Sequence, residues 1–317
     1  MNLNKRGLLN FVLLPISLIY FILVTIRRFS YTLGLRKIYH FKKTIIVVGN
    51  ITVGGTGKTP LVIAIAKFLQ QNDFKVGVVS RGYGGRGNSK KSISVAKFSS
   101  YKKVGDEPVM IANNLNIPIM INKKRAVAVA DLLKNNTIDI VISDDGLQHY
   151  SMARDIEIAV IDGKLRFANN WFLPAGPLRE PISRLSKCDF IINNSGKTYS
   201  NEFAMTLKPV EYINIKTNKK IAFNDWNIRN CNAICAIGNP DRFFSVLEHQ
   251  GIKLEKKIFK DHYPFKITDI NFNNDKPIIM TEKDAVKCRK FANEKMYYLK
   301  VETKLDAKFL TKLLEKL

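Results

Sequence analysis

The sequence has no acidic residue before Asp73, although ten lysines and arginines precede it. Residues 1–72 therefore carry +10 without compensation. The whole 317-residue chain sets 51 Lys+Arg against 27 Asp+Glu, a formal net charge of +24. Such an excess requires an anionic partner: nucleic acid, an anionic membrane surface or a phosphorylated substrate. Cysteine is scarce too. Cys188, Cys231, Cys235 and Cys288 are too few for a secreted disulfide scaffold, and Cys231 and Cys235 have no second ligand pair for zinc. There are no internal repeats, and 46% hydrophobic with 25% charged residues excludes a disordered or collagen-like chain. The length suits one large domain or two smaller ones.

Charge of either sign is missing from Gly7 to Ile26 (GLLNFVLLPISLIYFILVTI), with Lys5-Arg6 and Arg27-Arg28 on the flanks. A helix of that length rises about 30 Å, enough to cross a bilayer core. No small-x-small cleavage site follows, which argues against a signal peptide. Basic residues on both flanks give a spanning helix no orientation signal, and Pro15 interrupts a straight span. A buried core helix is the soluble alternative. Arg6, Asn10, Ser17, Thr25 and Arg28 fall near one stripe of a helical wheel, interrupted by Leu13, Leu14 and Phe21. The expectation is a helix lying in or dipping into a membrane interface, where each basic flank gains about 1 kcal/mol at an anionic leaflet.

Beyond it, short β-branched runs alternate with helical periodicity. Strands are expected at Lys43–Asn50, Lys75–Ser80, Ile138–Ser143, Ile156–Ile161 and Phe190–Asn193, and helices at Pro60–Leu69 and Ala126–Leu133. This is the pattern of a mainly parallel sheet covered on both faces. Residues 82–100, rich in Gly, Ser and Lys, read as a loop or hairpin. Polar–apolar alternation over 205–226, with turn chemistry at Thr217-Asn218, reads as linking strands. A second α/β unit follows: strands at Asn232–Ile237, Pro277–Met280 and Met296–Val301, and helices at Arg242–Gln250, 282–290 and Ala307–Leu317.

The strongest motif is Gly49-Asn50-Ile51-Thr52-Val53-Gly54-Gly55-Thr56-Gly57-Lys58-Thr59-Pro60, set between an expected strand and an expected helix. This is the context of a P-loop, whose backbone N–H groups and helix N-terminus face phosphate oxygens. Thr52, Val53, Gly54, Gly55, Thr56 and Gly57 would form the cradle. Lys58 would reach the β/γ-phosphates of ATP, and Thr59 would ligate Mg²⁺. Thr52 departs from the pattern, which has Gly there. Asp144-Asp145 ends a buried hydrophobic run and reads as a Walker B pair for Mg²⁺. Val53 stands where partitioning ATPases carry Lys, and Thr281-Glu282-Lys283-Asp284 misses the guanine motif by one place and reads locally as a helix cap.

Phosphoryl transfer to an alcohol also needs a base and charge neutralisation. Asp106 in Gly-Asp-Glu-Pro is either a base or a helix cap. His262 in Asp-His-Tyr-Pro-Phe either orients a base or is structural. Lys124-Arg125 opens a helix against its dipole, which hints at an anionic ligand. Tyr83, beside Arg81, and the Arg179-Glu180 pair in the rigid Pro-Ala-Gly-Pro-Leu-Arg-Glu-Pro loop are further candidates, with solvated surface as the alternative.

The set GNITVGGTGKTP, SRGYGG, GDEP, NKKRAVA, DDGLQH, PAGPLREP, AIGNP, DHYPF and TEKDAVK, in that order over roughly 45–290, resembles the tetraacyldisaccharide 4'-kinase family, the lipid A 4'-kinases of Gram-negative bacteria. The resemblance implies an α/β protein: a P-loop NTPase-like α/β/α sandwich (41–207), a strand linker (208–226), a second, smaller α/β/α domain (227–317) and an N-terminal membrane-associated segment (1–40). It implies transfer of the ATP γ-phosphate to the 4'-hydroxyl of a lipid A disaccharide 1-phosphate at the cytoplasmic face of the inner membrane. Lys58 and Thr59 are then expected at ATP–Mg²⁺ and Asp144 with Asp145 at Mg²⁺. Asp106 becomes the base assisted by His262, and Arg125 and Glu180 become catalytic candidates. Tyr83, Gln148 and Arg179 are expected at the lipid. The partners implied are this phosphorylated lipid and an anionic membrane surface, with no protein partner evident. The alternatives are a membrane-associated regulatory P-loop ATPase and a basic nucleic-acid-binding NTPase. Against the latter, the sequence has no aromatic-interleaved basic stripe.

Overall fold

The computed structural model describes residue 3 and residues 6–85 and 91–317. The expectations touching Lys5, and the 86–90 part of the Gly/Ser/Lys-rich segment, lie outside the described residues.

Apolar β-branched runs form the strands β1 (Thr44–Gly49), β2 (Val76–Ser80), β3 (Ile93–Ser94), β4 (Ile119–Ile121), β5 (Ile140–Asp144), β6 (Ile156–Asp162) and β7 (Phe190–Asn194). The chain continues through β8 (Glu202–Asn214), β9 (Lys220–Ala222), β10 (Asn230–Cys235), β11 (Lys253–Ile258), β12 (Ile278–Thr281) and β13 (Met296–Leu305). The helices are α1 (Leu8–Val12), α2 (Leu14–Thr32), α3 (Lys58–Gln71), α4 (Tyr101–Val104), α5 (Asp106–Asn114), α6 (Arg125–Asn135), α7 (Pro240–His249), α8 (Glu282–Cys288) and α9 (Ala307–Glu315).

Among the described residues the strands join one sheet in the order β11-β10-β12-β13-β8-β7-β6-β1-β5-β2-β4-β3, with β9 paired to β8. The block from β2 to β8 is parallel, and so is the block of β10 to β13. They meet at the antiparallel pair β8–β13, whose register shifts between Lys300 and Val301. Strand β1 shows why the first block is a sandwich. Its alternate residues point to opposite faces: Ile46 and Val48 pack with Leu61 and Ile65 of α3, while Ile45 and Val47 pack with Val129 and Leu132 of α6. Two further clusters, around Phe244 and Phe265, cover the faces of the second block.

The sequence places residues 227–317 in the second unit. The structure returns α9 to the first, because its apolar stripe meets the first block's core. Phe309 is fully buried with ring centroids 5.2 Å from Phe190 and 5.8 Å from Phe203. The expected linker is a hairpin of β8 and β9 whose long strand starts at Glu202, inside the main sheet.

The N-terminal segment breaks at Leu13, before Pro15, and α2 then runs unbroken to Thr32. Its amphipathicity is inverted relative to a soluble helix. Asn10 and Ser17 are buried against the protein: Asn10 Nδ2 donates to Ala175 O (2.8 Å), and Ser17 Oγ donates to Phe172 O (2.9 Å) and accepts from Ala175 N (3.0 Å). Leu18, Ile19, Leu23 and Ile26 point outward and are exposed. Helix α2 is long and apolar enough to cross a membrane, yet almost none of it is buried in the protein.

Because fully buried Phe309 joins the Phe190–Phe203 aromatic cluster, Phe309→Ala should lower stability by about 3–5 kcal/mol. Urea unfolding followed by circular dichroism measures it, and a loss below about 1 kcal/mol contradicts the docking of α9.

Candidate active site

The P-loop leaves the buried end of β1 and enters α3 at Lys58. Gly57 caps that helix with φ +95°, and a Cβ there would lie 2.4 Å from Asn194 Nδ2, so both backbone and packing require glycine. Thr52 departs from the P-loop pattern for a visible reason: it bridges Leu178, and Val53 N donates to Pro177 O (2.8 Å). The start of the loop is thus short β-structure held by the Pro-Ala-Gly-Pro segment, where a β-branched residue fits. Lys58 Nζ donates to Asn50 Oδ1 (3.2 Å) and lies 3.5 Å from Asp145. Asn194 Nδ2 donates to Thr56 O (2.8 Å) and its Oδ1 accepts from Arg242 (2.7 Å).

Asp144 and Asp145 differ sharply. Asp145 lines the cleft and pairs with Lys58 and with Arg179 (3.3 Å). Burial pushes its carboxyl up, but Lys58 and Arg179 outweigh this and hold it down at about 2. Asp144 is buried, and among the described residues neither carboxylate oxygen has a hydrogen-bond partner. Burial, then the charges of Glu107 and Asp145, raise it well above the ordinary carboxylate range. Two orphaned buried oxygens at the end of a strand beside a P-loop suit a cation ligand.

The second half of the site comes from distant segments. Asp106 opens α5 after Gly105 (φ +92°) and is 4% exposed. His262 Nδ1 stands 3.0 Å from both Asp106 oxygens. Lys283 Nζ lies 3.2 Å from His262 Nε2 and donates to Glu107 and Asp261 (3.1 Å each). The Tyr83 ring packs 4.7 Å from that of His262. Burial raises Asp106, but the His262 hydrogen bond and the charge of Lys283 more than offset it, so its net shift is downward. Burial lowers His262, yet its bond to Asp106 raises it overall. Asp106 is depressed and His262 is raised, so the pair contributes stability above the unfolded carboxyl pKa near 4 and below the unfolded imidazole pKa near 6.5. That contribution fades as pH falls through the folded value of Asp106 or rises through that of His262.

Lys58, Asp145, Arg179, Tyr83, His262 and Lys283 line one cavity of about 520 Å³, walled on the far side by apolar Leu207, Phe243 and Leu299, whereas Asn50, Thr52, Asp106 and Asp144 do not line it. Three of the sequence-derived residues stand behind it. Arg125, 1% exposed, donates to Asp144 O (2.8 Å) and Asn122 O (3.2 Å). Gln148 donates to Asn50 O (2.9 Å) and Glu180 (2.8 Å). Glu180, expected among the catalytic groups, is fully buried and accepts from Tyr150 (2.5 Å) and Gln148, with Arg184 3.4 Å away. A buried carboxylate needs such partners, and they leave it no face toward the cleft. Sequence reasoning missed Asn50, Asn194, Arg242 and Lys283; Lys283 was visible only as part of a helix cap.

The loop after β10 closes over the P-loop. A Cβ on Gly238 would lie 2.5 Å from Gly55 N. Backbone cannot yield as a side chain can, so Gly238→Ala should push this loop off the phosphate cradle. ATP affinity, measured by isothermal titration calorimetry, is expected to fall at least about fivefold, near 1 kcal/mol; unchanged affinity contradicts the close apposition.

The model of the LpxK family, tetraacyldisaccharide-1-P 4'-kinase, matches residues 9–317. A tetraacyldisaccharide 4'-kinase of Ruthia magnifica subsp. Calyptogena magnifica is 49% identical over 317 residues, covering all of both chains. One from Legionella pneumophila strain Corby is 46% identical, covering 95% of this chain and 91% of its own. The crystal structure of LpxK from Aquifex aeolicus in complex with ATP superposes with a TM-score of 0.82 at 27% identity, over 98% of this chain and 99% of that one. The chain belongs to the tetraacyldisaccharide-1-P 4'-kinase family.

Proposed function

We propose that this chain is the ATP-dependent lipid kinase of lipid A biosynthesis, transferring the γ-phosphate of ATP to the 4'-hydroxyl of a tetraacyldisaccharide 1-phosphate. The observation that carries the chemistry is the Asp106–His262 contact at 3.0 Å on the wall of a P-loop cavity. A P-loop alone serves hydrolysis and switching as readily as transfer; a buried carboxylate tuned by an imidazole supplies the base for an alcohol.

In this reading Gly54–Gly57 and the α3 N-terminus cradle the phosphates, and Lys58 neutralises the β/γ oxygens. Asp106 accepts the proton of the 4'-hydroxyl as its oxygen bonds to the γ-phosphorus. The bond from that phosphorus to the β–γ bridging oxygen breaks, and ADP leaves with the electron pair. His262, held by Lys283, fixes the carboxylate and stabilises its charge. Arg179, paired with Asp145, and Tyr83 border the face where a sugar phosphate would enter. Thr59, Asp144 and Asp145 would hold Mg²⁺, which when bound offsets phosphate charge. Arg125 and Glu180 then act through neighbours: Arg125 holds the Asp144 backbone, and Glu180 anchors the loop that presents Arg179. Residues 41–207 and the block after the 208–226 hairpin work as two units with the cleft between them.

The outward apolar face of α2 supports a monotopic seat on the cytoplasmic side of the inner membrane, with the basic flanks meeting anionic headgroups. There the site faces a substrate whose acyl chains stay in the bilayer.

Two outcomes test this. Incubated with labelled ATP and tetraacyldisaccharide 1-phosphate in detergent, the protein should yield a new bisphosphorylated lipid, resolved by thin-layer chromatography. Asp106→Ala and His262→Ala should each lower kcat at least about tenfold with ATP affinity within about twofold; product formation at the wild-type rate by both variants would sink the base assignment. Separately, Leu18→Glu with Leu23→Glu should cut co-sedimentation with anionic vesicles at least about tenfold, each charge on the apolar face costing more than 1 kcal/mol at the interface. Full binding by this variant speaks against α2 as the membrane face.

A further inference from the structure

Helix α8 carries a buried lysine that the reaction as described does not use. The side chain of Lys287 is 1% exposed. Its Nζ lies 2.7 Å from Asp284 Oδ1, 4.0 Å from Asp106 Oδ2 and 5.0 Å from the centre of the Phe265 ring, and among the described residues it makes no hydrogen bond of good geometry. An ammonium removed from water costs several kcal/mol unless its surroundings return it, so its partners define its place. Each of them leads to the site. Asp284 Oδ2 accepts from Thr281 Oγ1 (2.7 Å) and from Ala236 N (3.0 Å), at the root of the loop that covers the P-loop. Phe265 is buried three residues after His262 and packs against Phe259 and Tyr263. Asp106 is the base on α5.

We propose that Lys287 is a positioning residue for phosphoryl transfer: its ammonium, shared between Asp284 and Asp106 and seated on Phe265, holds the base and the His262 loop in one arrangement and favours the carboxylate form of Asp106. This rests on the assignment of Asp106 as base. The groups facing Asp106 are His262 from its loop, Lys283 and Lys287 from α8, Tyr101 from α4 and the adjoining Glu107. Lys287 is the fully buried cation among them. Lys283 also bears on Asp106 by its charge, but its hydrogen bonds go to the imidazole and two other carboxylates. Loss of the Lys287 charge leaves Asp106 easier to protonate, so the effect belongs on the acidic side of the pH profile.

The test is kcat against pH in the lipid phosphorylation assay for Lys287→Met, for Lys287→Met with Asp284→Asn, and for Lys287→Arg. The double variant removes the carboxylate that the single one strands, so the fold is preserved where the single change fails; thermal melting checks both. We expect the acidic limb to move up by about one pH unit in the Met variants. That is about a tenfold loss below the limb and under about threefold on the plateau, with KM for ATP within about twofold. Lys287→Arg, which keeps the charge, should hold the limb near its wild-type place. A folded Met variant whose limb does not move, or whose loss is equal at every pH, overturns the proposal. Asp106→Asn is measured alongside. Turnover persisting in it overturns the base assignment and this inference with it, whereas an inactive Asp106→Asn beside an unmoved limb removes the role of Lys287 alone.

Discussion

A buried carboxylate cannot stay charged without partners, and Asp106 finds them 156 residues away in His262. This contact constrains the rest of the molecule. It requires the second parallel block to lie against the first, so the sheet passes through an antiparallel joint at β8–β13 with a bulge at Lys300/Val301. It requires the loop after β10 to meet the P-loop closely enough that Gly238 admits no side chain. It also places α8 beside α5, where Glu282, Lys300 and Asn114 tie the two blocks together by their side chains. Charge pairing across the cleft and the geometry of the cleft are one constraint.

A second theme is the use of one loop for two tasks. The Pro-Ala-Gly-Pro-Leu-Arg-Glu-Pro segment, with Phe172 just ahead of it, receives the polar stripe of the N-terminal helices through the carbonyls of Phe172, Ala175 and Arg179. On its other side it pins Thr52 and Val53 and delivers Arg179 to Asp145. The outward-apolar helix α2 and the P-loop are therefore separated by a single layer of backbone. Glu180 stiffens that layer, since its carboxylate is held by Tyr150, Gln148 and Arg184.

Much of this was legible in the sequence. Strand β1 followed by the glycine-rich turn and α3 lies where the motif put it, because local backbone demands and apolar runs act over a few residues. The lysine and carboxylates of the cleft were identified by type. Less legible were the groups whose meaning depends on what lies opposite. Glu180 looked like a catalytic group and Gln148 like a lipid contact, yet the two are hydrogen-bonded to each other and Glu180 also to Tyr150. Asn194 and Arg242 carry no motif, yet they brace the P-loop backbone. Helix α9 looked like part of the last unit and packs on the first, since its apolar stripe does not encode which core it will meet.

By itself the sequence determined the excess of positive charge around an uncharged N-terminal run and the glycine-rich turn between β1 and α3. These follow from composition, spacing and local conformational preference. The tertiary structure alone decided which face of α2 turns outward, which carboxylate meets Lys58 and which is left with orphaned oxygens, and that Asp106, His262 and Lys287 form one cluster. Electrostatic partners are fixed by distance in space, and only the completed sheet brings residues from α5, α8 and the loop after β11 within a few ångströms of one another.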